Sequence, residues 1–149
     1  MPSCILRLAL PSPLRRLFDY LPPHGATAGS LQPGMRLRVP FGRREMIGVL
    51  VEVNSQSEVP LDKLKPALEL LDARPPLPAP LFKLCLWTAQ YYQHSLGDTL
   101  SWALPVLLRQ GEPVREVTLF VPGHDVYAQL APELDLFRAV RRHVGVALT

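Results

Sequence analysis

The sequence predicts a mixed α/β (α+β) fold, with a small antiparallel, barrel-like sheet packed by two helices and a short further segment behind it. Three observations carry this prediction. Stretches of alternating apolar and polar residues occupy the amino-terminal half. Proline and glycine clusters separate them. Beyond residue 80 the apolar spacing changes to a helical one. The 149 residues are 48% hydrophobic and 19% charged, enough to bury a core and too apolar for a disordered chain. Seventeen prolines without a period exclude collagen-like and polyproline architectures and favour broken strands and short helices.

Residues 4 to 10 form the first predicted strand, with Cys4, Leu6, Leu8 and Leu10 on one side and Ile5, Arg7 and Ala9 on the other. Pro11 and Pro13 end it. Residues 17 to 21 are a second, short run bounded by Pro22 and Pro23, in which Phe18 and Tyr20 share a face and Asp19 points the other way. A glycine-containing loop leads to a strand over 35 to 41, a turn over 42 to 45 and a return strand over 46 to 53. Gly48 in that return strand marks a bulge or a close backbone approach. Pro66 weakens any helix over 61 to 71, so a strand is expected after it. Four prolines over 74 to 80 make an extended connector. Residues 81 to 94 then read as a buried helix, and Gly97-Asp98 as the turn and N-cap of a second one running to about 108, kinked or ended at Pro105. From residue 112 only one strand (117 to 121) and one helix (132 to 144) are legible, too little for a core of their own. The predicted domains are therefore 1–111 and an incomplete 112–149.

Several chemistries are excluded by what is missing. There is no Gly-Lys dipeptide and so no Walker A loop, no GxSxG elbow, and no metal-ligand spacing among the four histidines and two cysteines. Neither a catalytic activity nor a metal or cofactor is expected. His94, Ser95 and Asp98 are triad residue types, but closeness in sequence does not make a triad, and His94 reads instead as a helix-ending residue. No apolar run approaches the ~20 residues of a membrane span, and the amino terminus lacks a secretory pattern, so a cytoplasmic protein with no membrane partner is expected.

Charge is unevenly spread. The first 48 residues hold seven arginines against Asp19 and Glu45, whereas the chain as a whole carries only +3. A basic amino-terminal part suits a polyanion, since each neutralised phosphate releases counterions. Taken alone, Phe18 and Tyr20 read as core or cross-strand packing, Asp19 as a solvated acid or a partner of Arg15 or Arg16, Gly42 as a turn residue and Lys65 as surface. Trp87, Tyr91, Tyr92 and Trp102 read as helix packing rather than base contacts.

An ordered set of segments gives these residues a second reading. Leu-Phe-Asp-Tyr-Leu (17 to 21), Arg-Leu-Arg-Val-Pro-Phe-Gly (36 to 42), Ile-Gly-Val-Leu-Val (47 to 51), Leu-Asp-Lys-Leu-Lys (61 to 65), Tyr-Tyr (91 to 92) and the run 97 to 111 together resemble the amino-terminal region of the primosomal replication-restart helicases, the PriA family of bacteria. The resemblance covers roughly residues 4 to 113, and the tail resembles the start of the winged-helix domain that follows in that family. It implies a module that binds a DNA 3′ end, such as the nascent leading strand at a stalled or branched fork, without the family's ATP-dependent motor or its zinc-binding cysteines. Its implied partners are forked or single-stranded DNA with a free 3′-hydroxyl, and other primosome proteins. Phe18, Asp19, Gly42 and Lys65, with Tyr20 beside them, fall on the family's terminal-nucleotide positions. An ionised Asp19 would accept a hydrogen bond from a 3′-hydroxyl and repel a 3′-phosphate. Phe18 would stack on a base, Gly42 would let backbone approach, and Lys65 would supply charge. Arg36, Arg38, Arg43 and Arg44 would guide phosphates. The rival reading is a protein-interaction module docking onto helicase lobes or primosome partners, which an exposed apolar patch over 100 to 108 would favour.

Overall fold

A computed structural model describes residues 4–115 of the chain. The expected strand, helix and winged-helix-like segment beyond residue 116 lie outside the described residues.

The strands are β1 (Ile5–Ala9), β2 (Phe18–Tyr20), β3 (Arg36–Phe41), β4 (Arg44–Asn54) and β5 (Glu69–Leu70), and the helices α1 (Ala79–Tyr91), α2 (Leu96–Ala103) and α3 (Val106–Arg109). All neighbouring strands are antiparallel, in the order β2-β1-β4-β3-β5. The sheet is open and not a closed barrel, because its edge strands have only three and two residues and form no ladder with each other. They approach at a single parallel bridge between Leu21 and Pro66, where the Leu21 amide donates to the Lys65 carbonyl at 3.0 Å and the Ala67 amide to the Leu21 carbonyl at 2.9 Å. Pro66 has no amide of its own to extend that pairing.

Both faces of the sheet are covered over part of their length. Leu6, Leu8, Leu10, Tyr20, Leu37, Val39 and Leu50 form one core. Ala9, Val49, Leu77, Cys85, Leu100 and Leu104 form a second between sheet and helices. The second core explains why Ala9, on the side of β1 opposite Leu6 and Leu8, is only 1% exposed. Full burial is worth ~1.5–3 kcal/mol per large aliphatic side chain. The bulge lies where β1 pairs with β4: Leu8 opposes Leu50 and Arg7 opposes Glu52, leaving Val51 extra. Gly48 is instead the close approach, since a Cβ there would come within 2.6 Å of Leu10 Cδ2.

The helices end on local signals. Ser95, not Asp98, caps α2: its Oγ accepts from the Asp98 amide at 3.3 Å and donates to the Ser12 carbonyl at 2.6 Å. Helix α1 closes in a Schellman arrangement, with the His94 amide donating to the Ala89 carbonyl and the Gln93 amide to the Gln90 carbonyl. Gln93 takes the left-handed conformation there, at φ 55°. The first turn of α2 lies directly on the end of β1, where a Cβ on Gly97 would overlap the Leu10 carbonyl.

Candidate nucleic-acid interface

Three segments distant in sequence converge at the β2 edge. The Phe18 ring meets Phe41 edge-on with centroids 5.3 Å apart, and the Arg16 guanidinium lies 5.0 Å above the same ring. The Tyr20 hydroxyl donates to the Pro40 carbonyl at 3.0 Å. The Leu21–Lys65 hydrogen bond holds the third segment alongside, and the Lys65 side chain is exposed. Phe41 leads straight into the Gly42-Arg43 turn, in which only Gly42 has positive φ (62°), the II′ pattern that matches strand twist. A Cβ on Gly42 would meet nothing within 4 Å. That leaves the turn open to a neighbour.

Asp19 sits on the opposite face of β2 from Phe18, directly across from Arg7 in the register. Its Oδ1 accepts from Arg7 Nε at 3.1 Å, and its Oδ2 accepts from Ser57 Oγ at 2.6 Å. Arg7 also reaches Glu52 at 3.2 Å. The Asp19 hydrogen bond, ahead of the opposing effect of partial burial, raises the Arg7 pKa further above its already high ordinary value. The Asp19 side chain retains 10% exposure. The partner is thus Arg7, and not Arg15 or Arg16. The two are the lone charged residues of β1 and β2, a signal usable only once the pairing of those strands is known. Ser57 and Arg16 carry no comparable signal in the sequence.

Two of the expected contacts have other duties. Tyr20 is 6% exposed and part of the core; burial pushes its phenol pKa up. It supports the site from beneath. Arg36 is fully buried and cannot guide a phosphate. Its guanidinium forks onto Asp72 (Nη2 to Oδ1 2.6 Å, Nε to Oδ2 3.0 Å) and its Nη1 donates to the carbonyls of Leu108 at 2.5 Å and Glu112 at 3.0 Å. Arg38 is held by Glu69 at 3.3 Å and Glu45 at 3.8 Å. Arg43 and Arg44 remain exposed at the turn, with no ion pair among the described residues.

The helix aromatics depart from expectation too. Trp87, Tyr91, Tyr92 and Trp102 are 54%, 65%, 68% and 78% exposed. The core contacts of their helices come from the other side, Cys85 and Ala89 in α1 and Leu100 in α2. Ser95 is 3% exposed with its hydroxyl committed to Ser12, so it is no nucleophile. Among the described residues no three His, Cys, Asp or Glu side chains group to hold a metal, and no helix is long and apolar enough to cross a membrane.

This architecture is that of a DNA-binding domain: residues 7–105 match the family model described as 3′DNA-binding domain (3′BD). The chain belongs to the 3′DNA-binding-domain family of the replication restart protein PriA. Over 108 residues it is 46% identical to the replication restart protein PriA of Haemophilus influenzae, covering 72% of this chain and 14% of that relative. With the PriA of Bacillus subtilis it shares 37% identity over 95 residues, 63% of this chain and 12% of the relative. A third PriA, from Buchnera aphidicola, is 24% identical over 108 residues. The chain therefore spans about one-seventh of the length of the relatives it matches.

Proposed function

We propose that the domain recognises the 3′ end of a DNA strand, the nascent leading strand at a stalled or branched fork, by seating the terminal nucleotide over the free edge of β2. The observation that carries this is the convergence of Phe18, the Gly42 turn and Lys65 at one strand edge, with Asp19 just across it. A ligand that wraps an edge strand meets both of its faces, so the opposite orientations of Phe18 and Asp19 suit one nucleotide.

Ser57 supplies a model for the chemistry. Its hydroxyl donates to Asp19 at 2.6 Å, the same interaction that a 3′-hydroxyl would make. In this reading the nucleotide replaces one hydroxyl with another on Oδ2 while Arg7 keeps Oδ1 in place. A terminal phosphate would bring negative charge against the carboxylate instead. Lys65, Arg43 and Arg44 steer the backbone, and the base stacks beside Phe18. The domain recognises and does not catalyse, and it serves a replication-restart protein of the bacterial cytoplasm and nucleoid.

The test is fluorescence anisotropy with matched oligonucleotides ending in a 3′-hydroxyl or a 3′-phosphate. Preference for the hydroxyl, abolished by Asp19→Ala, is expected; equal binding of both ends by the parent protein sinks the end-pocket mechanism. A second reading, docking onto helicase lobes or other primosome proteins, is favoured by the exposure of Trp102, Val106 and Leu107 at 78%, 56% and 63%. Under it, Trp102→Ala abolishes association with purified PriA helicase lobes while 3′-hydroxyl binding is unchanged.

A further inference from the structure

Lys83, Trp87 and Tyr91 lie at i, i+4 and i+8, and so form one stripe along α1 on the side away from Cys85 and Ala89. The Trp87 and Tyr91 rings are stacked, with centroids 4.8 Å apart and planes 17° from parallel. Tyr91 meets Tyr92 edge-on at 4.9 Å. Three large aromatic rings thus stand in water, each more than half exposed.

The charge along this segment of the chain is one-sided. Between Asp72 and Asp98 the sequence holds no carboxylate side chain, while it does hold Lys83 and Arg74. Lys83 is exposed and enters no ion pair among the described residues. Arg15 is brought to the end of the same helix by its hydrogen bond to the Gln93 side chain, which in turn donates to the Gln90 carbonyl at 2.7 Å. An apolar partner surface would need neither these cations nor the absence of acids. A polyanion carrying flat bases suits both.

We propose that this face of α1 is a second single-strand contact, a stacking track on which bases extend the Trp87–Tyr91 pair while Lys83 and Arg15 meet the phosphates. The track rests on the DNA-binding reading but not on the end pocket. It takes any stretch of single strand, because every base has a stacking face and no end is required. It would give the domain a hold on the strand wherever the terminus happens to be.

A labelled circular thymidylate oligonucleotide, which has no ends, separates the two sites. Anisotropy of the full 149-residue chain should show binding of the circle. Trp87→Leu and Tyr91→Leu keep apolar area but remove the π-face, and each should weaken circle binding by roughly five- to 150-fold, the range that ~1–3 kcal/mol per stacked base implies. Trp87→Phe should retain most of it. None of the three should alter the ratio of 3′-hydroxyl to 3′-phosphate affinity on linear strands. Asp19→Ala should do the reverse, losing the ratio and keeping the circle. Failure of the parent to bind the circle overturns the track, as does a Trp87→Leu variant that binds it as tightly as the parent, which would leave the face to a protein partner.

Discussion

Two of the arginine–aspartate pairs in this domain, Arg36–Asp72 and Arg7–Asp19, differ in almost everything but their chemistry. Arg36 and Asp72 are 0% and 1% exposed, and the arginine also satisfies two backbone carbonyls beyond α3 and at its end. Arg7 and Asp19 keep 30% and 10% exposure, sit near one edge of the sheet, and share their bonds with Glu52 and Ser57. Removing a charge from water is costly, so the buried pair persists only because each partner answers the other and the remaining donors are taken. The edge pair is less completely withdrawn from solvent. One pair fixes the scaffold, and the other is the one for which, under the proposed function, a ligand competes.

The largest expected effect lies at the buried pair. Asp72→Ala should cost about 3–5 kcal/mol in urea unfolding, because it strands a fully desolvated guanidinium. Arg36→Lys should fare little better, since an ammonium cannot reproduce the fork. A loss below about 1 kcal/mol in both would erase the contrast between the pairs. Asp19→Ala comes next and should read out differently: unfolding free energy falls by about 1–3 kcal/mol, less than at the buried pair, while preference for a 3′-hydroxyl falls by roughly ten- to 100-fold, the worth of a hydrogen bond to a charged group. A change in stability with no change in end preference would make both pairs structural.

Ser57→Ala sharpens the edge site further. With the competing hydroxyl gone, Oδ2 is free, and affinity for a 3′-hydroxyl strand should rise by about two- to tenfold in the same anisotropy assay. The smallest effect belongs to Tyr20. Burial raises its phenol above the ordinary value near 10. The native state therefore holds that proton where the unfolded chain has lost it, so stability is intact below pH ~10 and declines as pH rises through the raised value. Burial raises Cys4 and Cys85 in the same direction. In Tyr20→Phe, urea midpoints followed from pH 8 to pH 11 should fall less steeply than in the parent.

The sequence showed best what is local. Alternation located β1 and β3, prolines located the ends of β1 and β2, and Gly42 marked a turn that the backbone confirms with its positive φ. It failed where a distant residue decides. Arg36 alternates with Leu37 like any solvent-facing charge, and only Asp72, brought alongside β3 by the β5 pairing, permits its burial. Nothing within β1 announces the helix packing that buries Ala9 on the side opposite Leu6 and Leu8. Trp102 looked like core because it is apolar, yet the inward positions of α2 are held by Leu100 and Gly97. The candidate site was legible as a set of residue types in order. The company Asp19 keeps with Arg7 and Ser57 was not, since strand register and loop placement supply it.

Gly97 bears on how this domain tolerates change. Its missing side chain lets the first turn of α2 rest on the main chain of Leu10, just past the end of β1, so the spacing there is set by peptide groups rather than by replaceable hydrocarbon. A comprehensive substitution library selected for folding should return glycine alone at this position, while Leu100 and Leu104 nearby accept other aliphatics of similar volume.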